Sequence, residues 1–88
     1  MNDETLKAYA YVTISKHRTT IVKHLTGKFQ TPTQIANDTG ILRNHVSMYL
    51  KSLTNYGVTE CINPEAKKGR LYRLTSKGEE IADKIQTY

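Results

Sequence analysis

Three observations predict a mainly α fold of three to four helices with one small β-hairpin. Apolar residues recur at helical spacing, most clearly Val46, Leu50 and Leu53 at i, i+4 and i+7. Two alternating runs, 58–62 and 70–75, flank a loop containing Gly69. The stretch Thr31 to Asn55, TPTQIANDTGILRNHVSMYLKSLTN, places a short helix and a longer one on either side of Gly40, as in a helix-turn-helix. At 88 residues the chain is read as one domain, with the helix-turn-helix over 31–56, the hairpin over 58–75 and a last helix over 76–87.

Residues 3–14, DETLKAYAYVTI, read as a helix, with Asp3 as cap and Glu4 in the first turn, where the helix dipole favours negative charge. Leu6, Tyr9 and Ala10 form its apolar stripe. Its end, Tyr11-Val12-Thr13-Ile14, suits an extended conformation equally well, because β-branched and aromatic side chains favour strands. Ser15 caps a helix from Lys16 to Leu25, whose buried face is Ile21, Val22 and Leu25. Gly27 ends it, and Lys28-Phe29-Gln30 leads into Thr31, with Phe29 as a single anchoring side chain between polar neighbours.

Thr31-Pro32-Thr33-Gln34 is a helix start with a mechanism. Thr31 caps with its hydroxyl, Pro32 suits the first helical position, and Gln34 reaches back to complete a capping box. Ile35 and Ala36 are its apolar positions, and Gly40 permits the left-handed backbone of a sharp turn. The second helix buries Val46, Leu50 and Leu53 and turns Arg43, Asn44, Ser47, Met48, Lys51 and Asn55 the other way. Tyr49 and Tyr56, beside the leucines, are read as rim-of-core residues, ring buried and hydroxyl towards water.

Val58 to Ile62 forms the first strand, ended by Asn63-Pro64. Glu65-Ala66-Lys67-Lys68-Gly69 is the loop, and Arg70 to Thr75 the second strand, with Tyr72 and Leu74 on one face and Leu71 and Arg73 on the other. Lys67, Lys68 and Arg70 crowd the tip. Thr75 or Ser76 caps the final helix, with Ser76 and Glu79 spaced as a capping box. Its stripe is Ile81, Ala82, Ile85 and Tyr88, and Gly78 weakens its first turn by about 1 kcal/mol relative to Ala.

Composition narrows the function. The net charge is +5, from 13 basic and 8 acidic residues. Residues 1–40 hold five basic and three acidic side chains, residues 41–75 six and two, and residues 76–88 two and three. The excess therefore lies on the second helix of the motif and on the hairpin, which points to duplex DNA rather than to polyanions in general. No residue order or spacing is catalytic: there is no Ser/His/Asp order and no phosphate-cradling Gly loop, so the chain is not expected to be an enzyme. His17, His24 and His45 are scattered and Cys61 is alone, so no metal site and no cofactor are expected. Cys61 is read as a small, half-buried strand residue. No apolar run approaches a membrane span and no signal peptide is visible, which makes a cytoplasmic location the default.

The segment TPTQIANDTGILRNHVSMYLKSLTNYGVTE resembles the reading head of winged-helix transcriptional regulators of the ArsR/MarR type, particularly small archaeal ones. The run NPEAKKGRLYRLTSKGEEI resembles their wing and the helix after it, and together these cover roughly residues 15 to 85. The chain departs from the pattern at Leu42, where the family often has Ser, Thr or Asp as cap of the recognition helix. The resemblance implies a short strand near Phe29 that pairs with the wing. It also implies sequence-specific double-stranded DNA binding with the recognition helix in the major groove.

On that reading Arg43, Asn44, His45, Ser47, Met48 and Lys51 face the groove, where Arg suits guanine, Asn adenine and Met a thymine methyl. Thr31, Thr33 and Gln34 hold phosphate at the N-terminus of the preceding helix, and Lys67, Lys68 and Arg70 hold it through the wing. Leu6, Tyr9, Ala10, Ile81 and Ile85 are expected to form a homodimer contact, with packing on the domain's own core as the other reading of the Leu6, Tyr9 and Ala10 stripe. The alternative is a winged helix serving as a protein-interaction module within a transcription or replication assembly; polar and basic residues on the outward helix face favour DNA.

Overall fold

A computed structural model describes residues 1–86. Helices α1 (Asp3–Thr13) and α2 (Lys16–His24) precede the motif helices α3 (Pro32–Thr39) and α4 (Arg43–Asn55). Strands β1 (Thr59–Cys61) and β2 (Tyr72–Leu74) and helix α5 (Ser76–Gln86) follow. Five helices thus form among the described residues where three to four were expected, and α1 stays helical through its β-branched end. Val12 is the reason: its side chain is fully buried, and burial outweighs a weak local preference.

The buried face of α1 is not the expected one. Thr5, Ala8 and Val12 point inward, whereas Leu6 is 55% exposed, Ala10 is exposed and Tyr9 only borders the core. Thr5, Ala8 and Val12 also follow helical spacing, and the small side chains at 5 and 8 let α1 approach α2 and α5 closely. The cap lies one residue earlier than expected, since Asn2 accepts from Thr5 N at 2.8 Å. Ser15 caps α2 as expected, by accepting from Arg18 N at 3.2 Å.

One core unites the elements. Ile21, Val22 and Leu25 of the α2 region meet Ile35, Val46, Leu50 and Leu53 of the motif, together with Val58, Leu74, Ile81 and Ala82. The tyrosine rings sit at its rim: Tyr49 is half-buried against it and Tyr56 is 42% exposed. Ile81 is fully buried here, so it cannot serve in the expected contact with a second chain; Ile85 is half-buried. Tyr88, expected on the same stripe, lies outside the described residues, as does residue 87 of the expected last helix.

The hairpin pairs Thr59 with Leu74, Glu60 with Arg73 and Cys61 with Tyr72, antiparallel. Gln30 adds an isolated bridge to Tyr72 through two backbone bonds of 3.0 and 2.9 Å, which supplies the expected third-strand contact at the end of the Phe29 segment. Phe29 itself is 56% exposed and anchors nothing in the core. The bridge holds Gln30 while its neighbour turns away, as alternation along an extended segment requires.

Thr75, not Ser76, caps α5. Its hydroxyl oxygen accepts from Gly78 N at 3.1 Å while its hydrogen is directed at the Gly57 carbonyl, so one side chain ties the end of α4 to the start of α5. Gly78 has a structural reason to lack a side chain. A Cβ there would stand 2.1 Å from the Val58 carbonyl oxygen, so α5 can lie against the β1 entry only with glycine at this position.

Candidate nucleic-acid interface

The motif forms as its residues dictate. Thr31 Oγ1 accepts from Gln34 N at 3.2 Å and Gln34 Oε1 accepts from Thr31 N at 2.9 Å, completing the capping box. Gly40 ends α3 with φ of 78°, a conformation natural to glycine, and so sets α4 across α3. Leu42 occupies the N-cap of α4 without a side-chain hydrogen bond. The start of α4 is held instead by packing, with Ile41 8% exposed and Val46 fully buried.

Three elements converge on one open cleft of about 560 Å³. The start of α3 contributes Thr31 and Thr33, α4 contributes Arg43 and Ser47, and the hairpin contributes Lys67, Lys68 and Arg70. Four cations and no carboxylate line it, so its field is uniformly attractive to anions. Seven of the expected DNA-contacting residues therefore meet in a single site. Asn44, Met48 and Lys51 lie outside the cleft on exposed positions of α4, with Met48 56% exposed. Lys51 borders a second concavity of about 460 Å³ that also holds Thr54, Asn55 and Cys61, beneath Ser47 and Arg70.

Internal bonds take up part of the start of α3. Gln34 Oε1 is held in the cap, in which its Nε2 takes no part. At the start of α3 the N–H groups of Thr31 and Gln34 are bonded and Pro32 has none, which leaves Thr33 N–H to offer to an anion. His45 is half-buried on the flank of α4 turned away from Arg43 and Ser47, and it lines neither concavity.

The hairpin tip is braced by residues that sequence reading treated only as punctuation. Asn63 Oδ1 accepts from Leu71 N at 2.7 Å, and its Nδ2 donates to the Gly69 carbonyl at 3.1 Å. Arg70 Nε donates to the Ala66 carbonyl at 2.8 Å, which fixes its stem and leaves the end of the guanidinium to the cleft. The signal for Asn63 was its place before Pro64 at a strand end, where Asn side chains hydrogen-bond nearby backbone. At the strand base Arg73 Nε meets Glu60 Oε2 at 2.9 Å, which keeps that acid engaged away from the cleft.

A polar cluster locks α3 to α2. His24 Nε2 lies 2.8 Å from Gln30 Oε1 and 3.3 Å from Asp38 Oδ2, and Gln30 Nε2 donates to Asp38 Oδ2 at 3.0 Å. The Gln30 hydrogen bond holds the Asp38 carboxyl below its ordinary value; partial desolvation opposes this, and the His24 and Lys28 charges add to it. No group of three or more metal-ligating side chains comes together among the described residues. No described helix is long and apolar enough to cross a membrane. Cys61 is half-buried in its strand, as expected.

This order of elements, three helices, a two-stranded hairpin and a closing helix, with a leading helix in addition, matches solved structures. The crystal structure of a MarR family transcription regulator aligns with a TM-score of 0.77 at 22% identity, over 94% of this chain and 56% of that one. The fold is a winged helix. The transcriptional repressor CouR, bound to a 23-mer DNA duplex, aligns with a TM-score of 0.73 at 22% identity, over 97% of this chain and 61% of its own. The winged helix described here thus spans little more than half the length of the structures it matches. No protein-family model and no curated protein matches the sequence.

Proposed function

We propose that this winged helix is a sequence-specific, double-stranded DNA-binding transcriptional regulator that works as a homodimer. One observation carries the reading: side chains from α3, α4 and the wing converge on a cleft lined by Arg43, Lys67, Lys68 and Arg70 with no acid among them. A duplex backbone carries one negative charge per 1.7 Å of axis, and a concentrated cationic site suits it. The same fold in CouR binds a DNA duplex, which supports the reading without deciding it, since fold does not imply function.

The dimer contact falls to Leu6, Tyr9 and Ala10 on α1 with Ile85 on α5, two helices that pack side by side. Recognition helices about one DNA turn apart, roughly 34 Å, would meet a palindromic site. Exposed Leu42 and Met48 favour the protein-interaction alternative, but Met48 shares its helix face with Asn44, Lys51 and Asn55, and Leu42 is followed by Arg43 and Asn44.

Binding of random duplex DNA at two salt concentrations tests the reading. With four phosphate contacts per protomer, and so eight per dimer, affinity falls on the order of 10⁴-fold between about 50 and 200 mM salt. No binding, or binding indifferent to salt, overturns it.

A further inference from the structure

The six residues expected to face the groove do not share one face of α4. At 3.6 residues per turn, Asn44, Met48, Lys51 and Asn55 stand at i, i+4, i+7 and i+11, directly opposite the buried row Val46, Leu50 and Leu53. All four are exposed. Arg43 and Ser47 occupy the flank between the rows, and both line the cleft that faces Lys67, Lys68 and Arg70 of the wing.

We propose that Arg43 grips the phosphodiester strand running between α4 and the wing, and that sequence is read by the outer row Asn44, Met48, Lys51 and Asn55. The inference rests on the DNA-binding reading and divides its labour. A major groove about 12 Å wide admits a helix of about 10–12 Å diameter, so the helix fills it from wall to wall. The row farthest from the protein core meets the base edges on the groove floor. The flanks meet the walls, which are phosphate backbone. The wing reaches past that wall, so whatever lies between α4 and the wing is the strand itself, and Arg43 is one side of the channel that holds it.

Chemistry agrees with the placement. The polar side chains of the channel are cations and hydroxyls, which suit phosphate, and phosphate contacts carry no sequence information. The outer row offers two asparagines suited to the adenine edge, a lysine suited to guanine, and a methionine suited to a thymine methyl. Asn55 enters the reading set at the far end of the row; it and Lys51 border the second concavity with Arg70 and Tyr72 of the wing, and Asn55 also borders a third beside Glu4, Lys7 and Lys77, so Asn44 and Met48 are the members of the row that stand clear of all three concavities.

The experiment begins by enriching bound sequences from a random duplex pool. Affinities of the full chain and its variants for an enriched and a scrambled duplex are then measured across a salt series. Arg43→Ala is expected to lower both affinities by the same factor and to reduce the salt slope by roughly 0.9 per protomer. Asn44→Ala and Asn55→Ala are each expected to reduce the ratio of the two affinities by roughly five- to 150-fold, with the slope unchanged. All three side chains are exposed, so thermal unfolding should match the parent chain. A ratio that collapses in Arg43→Ala, or that survives both asparagine changes, overturns the division while leaving DNA binding intact. A pool with no enrichment overturns the reading row. Failure to bind any duplex overturns the DNA-binding reading and this inference with it.

Discussion

The rings of Tyr11 and Tyr56 lie face to face, with 4.0 Å between centroids and 8° between planes. Arg18 covers Tyr11 from its other side, its guanidinium carbon 3.8 Å from the ring centre and its Nε donating to the Tyr11 carbonyl at 2.8 Å. The stack joins the end of α1 to the end of α4, so the helix proposed to face DNA is tied at its base to the helix proposed for the dimer contact. A Tyr11→Ala, Tyr56→Ala double-mutant cycle should give a coupling of about 0.5–1.5 kcal/mol in urea unfolding. Additivity within about 0.3 kcal/mol would make the stack incidental to stability.

Gly78→Ala reverses the usual helix rule. Alanine is favoured over glycine within a helix by about 1 kcal/mol, but here its Cβ would meet the Val58 carbonyl oxygen at 2.1 Å. The variant should lose about 1–3 kcal/mol through overpacking, while Glu80→Ala on the exposed side of α5 stays within about 0.5 kcal/mol. Equal unfolding midpoints for the two variants would contradict the close approach of α5 to β1.

Asn63→Ala should loosen the wing locally. It removes the bonds to Leu71 N and to the Gly69 carbonyl, each worth about 0.5–1.5 kcal/mol. Hydrogen exchange should quicken at the Leu71 amide and not at the Tyr72 amide, which is bonded to Gln30. Uniform quickening at both would mean that Asn63 supports the whole sheet rather than the tip.

Asp38 predicts a pH dependence with a definite sign. Its pKa is lowered from the ordinary 3.8, chiefly by the Gln30 hydrogen bond, so its contribution to stability is present above 3.8. That contribution is lost as pH falls through the lower folded-state value. Asp38→Asn keeps an acceptor for Gln30 and removes the charge. The stability difference between the parent chain and the variant should therefore be present at about pH 7 and shrink progressively as the pH is taken below 3.8. A difference that stayed constant over this range would remove the carboxylate charge from the account.

Leu6→Glu should abolish self-association without unfolding the chain. Leu6 is 55% exposed, and with Ala10 and the 78%-exposed Ile14 it forms a ridge spaced i, i+4 and i+8 along the outer side of α1. Sedimentation at micromolar concentration should show a dimer for the parent and a monomer for the variant, with equal thermal midpoints. A parent chain that sediments as a monomer with and without DNA would remove the dimer from the proposal.

What the sequence determined by itself is local and short-ranged. The capping box of Thr31 and Gln34, the turn at Gly40, the buried row Val46, Leu50 and Leu53, and the alternation that puts Tyr72 and Leu74 on one face of their strand all follow from residues within a few positions of one another. Each is set by backbone sterics, a side-chain cap or a helical period, which a single segment contains. The tertiary structure decided what depends on distance between segments. It chose Thr5, Ala8 and Val12 over Leu6 as the inner face of α1, because both rows have helical spacing and only close packing against α2 and α5 separates them. It drew Ile81 into the core, left Phe29 outside it, and required glycine at 78, since a clash with the Val58 carbonyl is invisible along the chain. It also brought Thr31, Arg43 and Lys67 around one cleft and so set the Arg43 flank of α4, rather than the row that holds Asn44, against the wing. Which flank of a helix faces a wing depends on how the hairpin folds back over it, and that is fixed only when the whole core closes.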